Sequence, residues 1–141
     1  LTLLRENTKD KYPDQIYSIL MDFEISQLNY NLNNFQESLN NLRAINLELE
    51  QRGNEASFLK DLSRLRLSLL LISENEIDEA REILNKNFIF FEELKYEFLG
   101  DAELKSSNQE AARKNYETAL ELTSSEIHKE LIRIKLSSII N

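Results

Sequence analysis

The stretch FLGDAELKSSNQEAARKNYETAL, which runs from Phe98 to Leu120, decides the fold. Two small residues in it, Gly100 and Ala112, lie 12 positions apart, and Tyr116 follows Ala112 after four more. Two antiparallel helices joined by a short turn can approach closely where each presents a small side chain. A bulky side chain one turn later then fills the space beside the contact. The stretch therefore predicts a closely packed helix pair.

The same spacing of small and large residues recurs twice towards the N-terminus. In each set the first small residue precedes the second by 12 positions, and the large residue follows after four. The sets begin 42 and then 32 positions apart, and tetratricopeptide repeats have a period of about 34 residues. The longer first step predicts a longer connector at residues 52–55. The two earlier sets are Ser26, Ser38 and Leu42, and Ser68, Ala80 and Leu84.

Turn and capping residues divide the chain into seven expected helices. Pro13 and Asp14 favour a helix start near residue 14, because proline suits the first turn and a carboxylate stabilises that end. A capping signal of two polar residues three positions apart precedes the second helix of each pair. The expected helices span 14–31, 34–51, 56–73, 76–86, 90–106, 108–123 and 126–140. The capping signals are Asn34 with Glu37, Asn75 with Asp78, and Ser107 with Glu110.

These signals together predict an all-α fold, a tetratricopeptide-like right-handed superhelix of three helix pairs plus a C-terminal capping helix. We expect a single domain over residues 1–141, with repeats near 14–51, 56–86 and 90–123. The helix at 126–140 has no partner helix, and solenoids commonly close their open end in this way.

The composition excludes several functional classes. The 141 residues include 25 Asp and Glu against 17 Lys and Arg, and the net charge of −8 disfavours nucleic acids and anionic membranes. The chain has no Cys and one His, His128, which excludes thiolate chemistry and polyhistidine metal sites. Two Gly and one Pro argue against a glycine-rich phosphate loop. We therefore expect no enzyme, no catalytic residue, no cofactor and no metal, and we interpret His128 as a lone surface side chain.

No membrane-spanning segment is expected within the chain. Its longest apolar run covers residues 69–72, whereas a bilayer crossing needs about 20 residues. The sequence begins with Leu1 and shows no signal peptide, so we expect a piece of a longer protein.

Four segments occur in the same order as in a bacterial family, from about Tyr17 to Ile140. This part of the chain resembles the ancillary subunit of the Sec translocon, a periplasmic chaperone family with a tetratricopeptide-like domain. The sequence departs from that family at Asn75 and Ser107, where the turns lack the usual Gly, and at residues 88–91, which are unusually aromatic. The segments that carry the resemblance are LRLS at 65–68, FLGD at 98–101, AAR at 111–113 and IKL at 134–136.

The resemblance implies an inner-membrane protein whose repeat domain lies in the periplasm. Its single N-terminal transmembrane anchor would lie outside this chain. The implied partners are Sec translocon subunits and a membrane-anchored periplasmic chaperone of the prolyl isomerase type, together with unfolded client proteins. The implied function is a chaperone or adaptor that helps newly translocated proteins. The alternative is a tetratricopeptide scaffold of another bacterial complex that binds no client.

The first candidate binding surface is the concave face, which the first helix of each pair lines in a tetratricopeptide array. A clamp for a peptide carboxylate needs Lys, Arg or Asn there, because a buried carboxylate requires charged donors. Here the matching positions are mostly apolar, and Glu97 and Asp101 would repel a carboxylate. We therefore expect an apolar groove that suits an amphipathic helix or an unfolded apolar segment. The expected groove residues are Leu20, Phe23, Tyr30, Leu62, Leu65, Leu69, Ile72, Leu94 and Leu104.

Alternatives stay open for both candidate surfaces. The last helix carries more apolar residues than one stripe needs, so it either covers the concave face, leaves the groove open or contacts another copy. The aromatic residues near 88–98 either fill the junction between the second and third pairs, which we favour, or form a second surface. If they form a surface, Phe88 and Phe91 are the members that we expect to be exposed.

Overall fold

In the computed structural model, residues 16–52 and 56–139 are described, and they form seven α-helices without a β-strand. The all-α prediction is confirmed, and each helix boundary within these residues lies within three positions of the expected one. The expected helix start near residue 14, the connector residues 53–55 and the last expected helical residue lie outside the described residues. The helices are α1 (Ile16–Asn31), α2 (Phe35–Glu50), α3 (Ser57–Ser73), α4 (Ile77–Leu84), α5 (Glu92–Lys105), α6 (Gln109–Leu122) and α7 (Glu126–Ser137).

Helix contacts divide the chain into two compact units, Leu1–Ala56 and Ser57–Asn141. In the described part of the first unit, α1 packs against α2. In the second unit, α3 pairs with α4 and α5 pairs with α6. Helix α5 also contacts both α3 and α4, and α7 packs against α6. The second unit therefore stacks one helix pair on the next and ends with a single helix.

The spacing of 12 positions marks close helix contacts in both units. The hydroxyl oxygens of Ser26 and Ser38 lie 3.0 Å apart, and each hydroxyl also donates to the other residue's carbonyl oxygen at 3.2 and 3.0 Å. A Cβ on Gly100 would lie 2.6 Å from the ring of Tyr116, closer than carbon atoms pack. The expected close packing is confirmed where α1 meets α2 and where α5 meets α6.

In each of the three helix pairs, an equivalent turn joins the two helices. Asn33, Asn75 and Ser107 have left-handed backbone angles, with φ of 62°, 63° and 64°. In each turn the following residue's N–H bonds to the carbonyl five positions earlier at 2.8 Å. This Schellman arrangement satisfies the last carbonyls of the first helix. The turns follow one another at 42 and 32 positions, the same steps that separate the small residues.

Two of the three expected capping signals are wrong by one residue. Asn75 and Ser107 end the preceding helices, and the N-cap positions belong to Glu76 and Asn108. Asn34 does occupy the N-cap of α2, but its side chain makes no capping hydrogen bond, whereas that of Asn108 does. Asn is common both at N-caps and at left-handed turn positions, so the sequence pattern does not separate the two roles.

Polar contacts fix α5 against the preceding helix pair. Arg81 of α4 donates to both carboxylate oxygens of Glu103 at 2.6 and 3.2 Å and to Ser106 Oγ at 2.8 Å. The hydrogen bond to Glu103 raises the pKa of Arg81. Lys105 donates to the carbonyl of Ser73, one repeat step of 32 positions earlier, at 3.1 Å. The Lys105 contact therefore ties equivalent ends of α3 and α5 together, and the Arg81 contacts tie α4 to the end of α5.

Candidate protein-interaction surfaces

The residues expected to line the concave face occupy different environments. Phe23, Leu65 and Ile72 are buried, so they contribute to packing within their units. Tyr30 and Leu69 are exposed. A binding role for the whole set stays a prediction, with Tyr30 and Leu69 as its exposed members. The remaining members are Leu62, Leu94 and Leu104, which are half-buried, and Leu20, whose side chain lies outside the described residues.

Helix α7 lies against the side of α5 that carries Glu97 and Asp101, which we name the acidic face. Lys135 Nζ donates to Glu97 Oε2 at 2.7 Å and to both carboxylate oxygens of Asp101 at 3.0 Å. His128 Nε2 bonds to the other carboxylate oxygen of Glu97. Tyr116 of α6 donates to Asp101 Oδ1 at 2.5 Å. The last helix therefore covers this part of the expected concave face.

This polar network shifts the pKa of three of its members. Burial alone would raise the pKa of Glu97, but the hydrogen bonds from Lys135 and His128 outweigh it, and the pKa lies below the ordinary glutamate value. Burial would lower the pKa of Lys135, whereas its bonds to Glu97 and Asp101 raise that pKa above the ordinary lysine value. Burial and the bond to Asp101 raise the pKa of Tyr116. Glu97 and Lys135 therefore form a charged pair at neutral pH.

The interpretation of His128 as a lone surface side chain is wrong. Its side chain is mostly buried, with Nε2 on Glu97 and Nδ1 2.9 Å from Thr123 Oγ1. Because an ionised carboxylate cannot donate, Nε2 carries a proton. Ser125 caps α7 by accepting from the His128 N–H at 3.2 Å. Glu97 precedes His128 by 31 positions, so no pattern within the last helix signals this contact.

A second surface lies where α4 connects to α5, and we name Phe58, Ile89, Phe90 and Phe91 the aromatic patch. The ring of Phe58 lies 5.4 Å from that of Phe90 and 5.2 Å from that of Phe91, measured between centroids. Ile89 is 68% exposed, Phe58 49% and Phe90 42%. The sequence predicts Phe88 and Phe91 as the exposed members, but both are half-buried, and Ile89 and Phe90 between them face solvent.

A buried ion pair of α3, formed by Asp61 and Arg64, binds the backbone of the segment at residues 87–90. Asp61 of α3 accepts hydrogen bonds from the N–H groups of Ile89 at 2.9 Å and Phe90 at 2.8 Å. Arg64 donates to Asp61 at 3.2 Å and to the carbonyl of Asn87 at 2.8 Å. Both Asp61 and Arg64 are buried. The backbone of residues 87–90 is therefore fixed to α3 by three hydrogen bonds, and the ion pair between Asp61 and Arg64 holds their partners in place.

The two half-buried phenylalanines have specific environments. Arg64 and Lys95 both lie over the ring of Phe88, at 5.4 and 5.5 Å from its centroid. Such cation–π contacts keep Phe88 beside the helices. Phe91 has a φ of 61°, which bulky residues rarely adopt. Asp61 lies 28 positions before Ile89, so this arrangement is invisible to local sequence patterns.

Neither a metal-binding cluster nor a membrane-spanning helix occurs within residues 16–52 and 56–139. No group of three or more His, Asp or Glu side chains there is arranged to hold a metal ion. No helix of this part is long and apolar enough to cross a membrane.

A sequence model of the tetratricopeptide repeat-like domain family matches residues 3–141. The match covers nearly the whole chain, so the chain belongs to this family, and the predicted tetratricopeptide-like class is confirmed. Domains of this class typically act as protein-interaction scaffolds. Comparisons with curated proteins and with solved structures gave no match.

Proposed function

We propose that the chain is a protein-interaction domain whose aromatic patch holds an apolar segment of a partner protein. The observation that carries this proposal is the exposure of Phe58, Ile89 and Phe90 beside one another, on a segment fixed by a buried carboxylate. Single exposed apolar residues are normal on a protein surface, whereas clustered ones commonly mark interaction sites. Membership of a scaffold family supports the same class of function.

The patch is pre-organised for binding. Its backbone is fixed to Asp61, and Phe91 holds a left-handed conformation that costs about 1–3 kcal/mol. Strained residues of this kind concentrate at functional sites. A rigid apolar surface also loses little conformational entropy when a partner binds.

The proposed partners are Sec translocon subunits and a membrane-anchored periplasmic chaperone of the prolyl isomerase type. The proposed role is a chaperone or adaptor that helps newly translocated proteins at the periplasmic face of the bacterial inner membrane, with the membrane anchor outside this chain. The resemblance carried by residues 65–68, 98–101, 111–113 and 134–136 supports this role. The net charge of −8 favours partner segments in which basic residues flank the apolar ones.

The experiment is a pull-down from a bacterial membrane extract with three matched baits. The first is the chain as it stands, and the second carries Phe58→Ser and Phe90→Ser in the aromatic patch. The third carries Leu47→Ser, which removes from α2 one apolar side chain that is more exposed than Phe58 or Phe90. Circular dichroism confirms that all three baits are equally helical. Quantitative mass spectrometry then measures the retained translocon subunits and prolyl isomerase-type chaperone.

We expect the unchanged bait and the Leu47→Ser bait to retain these partners alike, and the patch variant to retain about tenfold less. Equal retention by the patch variant would place the binding surface elsewhere. Recovery of another defined complex without any translocon subunit would instead support the scaffold alternative.

A further inference from the structure

The acidic face of α5 is already occupied by a helix of the same chain. His128 and Lys135 of α7 lie seven positions apart, which is about two helical turns. Both reach Glu97, and Lys135 also reaches Asp101. Glu97 and Asp101 are four positions apart and form one row on α5. The contacts are those of one helix laid along another, with two nitrogen donors meeting two carboxylates.

Apolar packing accompanies these polar contacts. Ile132, which lies between the two donors on α7, is fully buried in a cluster with Ala112, Tyr116 and Ala119 of α6. Ile139, just beyond the helix, joins the same cluster. The surface formed by α5 and α6 thus accommodates a basic, apolar and basic side chain in succession along one helix face.

Helix α7 has a second apolar face that nothing in the described residues covers. Ile127, Leu131 and Ile134 follow the spacing of one helix stripe and are between 53% and 79% exposed. A helix that merely ends a repeat array needs a polar outer side. An exposed apolar stripe is instead consistent with a helix that can undock from α5 and α6 and bind a partner through this second face.

The docked position of α7 depends on few contacts. Ile132 is the buried residue within its 12 helical positions. An isolated helix of this length is marginal in water. The polar network on the acidic face and the apolar contacts of Ile132, Leu136 and Ile139 therefore supply most of the free energy that docks α7.

We propose that the acidic face of α5, with the adjoining surface of α6, is a docking site for a partner helix, and that α7 is its resident occupant. The partner helix carries two basic side chains seven positions apart and a branched apolar residue between them, as α7 does. This site is separate from the aromatic patch, so the proposal does not rest on the proposed function. Because α7 is tethered, its effective concentration is on the order of millimolar. A partner helix therefore binds well only when it adds contacts of its own or when α7 is loosened.

The test uses a fluorescent peptide with the sequence of residues 125–139, SEIHKELIRIKLSSI, as the partner helix. Fluorescence anisotropy measures its affinity for the full chain and for a full-chain variant whose own α7 is loosened by His128→Gln and Lys135→Gln. A second loosened variant, Ile132→Ala, leaves both donors in place and weakens the apolar contact instead. Circular dichroism confirms that each variant is folded. Two altered peptides serve as controls: one carries His128→Gln and Lys135→Gln, and one carries Arg133→Gln, whose side chain is half-exposed and pairs with Glu130.

We expect at least one folded, loosened variant to bind the peptide at least tenfold more tightly than the unchanged chain does. The peptide without the two donors should bind at least tenfold more weakly to that variant, whereas the Arg133→Gln peptide should bind as the parent does. Equal binding of the peptide with and without its donors would contradict the proposal, since the acidic face would then not recognise them. Failure of every folded, loosened variant to bind the peptide would contradict it as well.

Discussion

Ser26, Ser68 and Gly100 occupy equivalent positions in the three helix pairs. The contact with the facing helix at this position differs from pair to pair. Ser26 exchanges hydrogen bonds with Ser38. Gly100 leaves room for the ring of Tyr116. The Ser68 hydroxyl is fully buried and has no hydrogen-bond partner within the described residues. The same close approach therefore stabilises the pairs to different extents.

Replacing Ser68 by Ala should stabilise the second unit. A buried hydroxyl without a partner loses its hydrogen bonds to water on folding and gains none in the protein. Removing it should therefore raise the free energy of unfolding by about 1 kcal/mol. Urea unfolding at neutral pH measures the change in free energy of unfolding. The matched control is Ser26→Ala, which removes the hydrogen bond that the Ser26 hydroxyl donates to the Ser38 carbonyl and should destabilise the first unit by a similar amount. Loss of stability in Ser68→Ala would mean that its hydroxyl is hydrogen-bonded in solution.

Replacing Gly100 by Ala should destabilise the pair formed by α5 and α6. Alanine favours a helix by about 1 kcal/mol over glycine, but its Cβ would overlap the ring of Tyr116. That ring is buried and its hydroxyl is bonded to Asp101, so it has little freedom to move. Overpacking of this kind costs about 1–3 kcal/mol, and the net result should be a lower Tm. A rise in Tm would show that the ring gives way and that helix propensity decides.

In the turns within the helix pairs, backbone hydrogen bonds stabilise the end of the first helix, but the left-handed backbone angle is unfavourable for a residue that has a side chain. Asn33, Asn75 and Ser107 hold left-handed angles in all three pairs. Asn tolerates this conformation better than Ser does, because its side chain bonds to its own backbone locally. The turn of the third pair is therefore the most strained of the three.

Replacing Ser107 by Gly should raise the free energy of unfolding by about 0.5–1 kcal/mol, because glycine adopts positive φ without steric penalty. Asn75→Gly is the matched variant in the second pair, and it should gain less. Thermal unfolding followed by circular dichroism compares the two. If Asn75→Gly gained as much as Ser107→Gly, side-chain strain would not distinguish these turns.

Helix α7 should respond to pH through its charged pair with α5. The pKa of Glu97 is lowered, so its contribution to stability is present above the ordinary glutamate value and is lost as pH falls through the folded-state value. The pKa of Lys135 is raised, so its contribution is complete below the ordinary lysine value and is lost as pH rises through the folded-state value. The docking of α7 is therefore most stable at neutral pH and weakens in acid.

Lys135→Gln tests this dependence. The side chain is about one third exposed, so we expect a loss of about 1–2 kcal/mol at pH 7, less than for a fully buried pair. The difference in Tm from the unchanged chain should shrink as pH falls below about 4. Arg133→Gln, which removes an exposed pair with Glu130, should differ little at any pH. A Tm difference for Lys135→Gln that stayed constant into acid would contradict the charged-pair account.

At the scale of the whole molecule, the chain folds as two compact units, Leu1–Ala56 and Ser57–Asn141. The family match at residues 3–141 extends over both. The second unit contains both candidate surfaces, the aromatic patch and the acidic face with α7. Its stacked helix pairs provide the rigid support that each surface needs.

The sequence predicted the helices and their close contacts well, because these depend on residues that are 4 or 12 positions apart. Gly100 and Tyr116 are an example, since their contact follows directly from the repeat spacing. Prediction from the sequence failed for the contacts of His128 and for the exposed members of the aromatic patch. Those depend on Glu97 and Asp61, which lie 31 and 28 positions away and belong to other helices. Side-chain partners at such separations follow from how the pairs stack, and no local pattern encodes them.

The aromatic patch is the surface that we propose binds the partner. The most direct test is an affinity measurement between the purified chain and the purified translocon, with three single variants compared side by side. Phe90→Ser alters the patch, Leu69→Ser alters the exposed part of the expected concave face, and Leu47→Ser is the neutral control. We predict that Phe90→Ser weakens binding about tenfold and that the other two variants bind as the unchanged chain does. Weakened binding by Leu69→Ser together with full binding by Phe90→Ser would contradict the account and return the binding surface to the concave face.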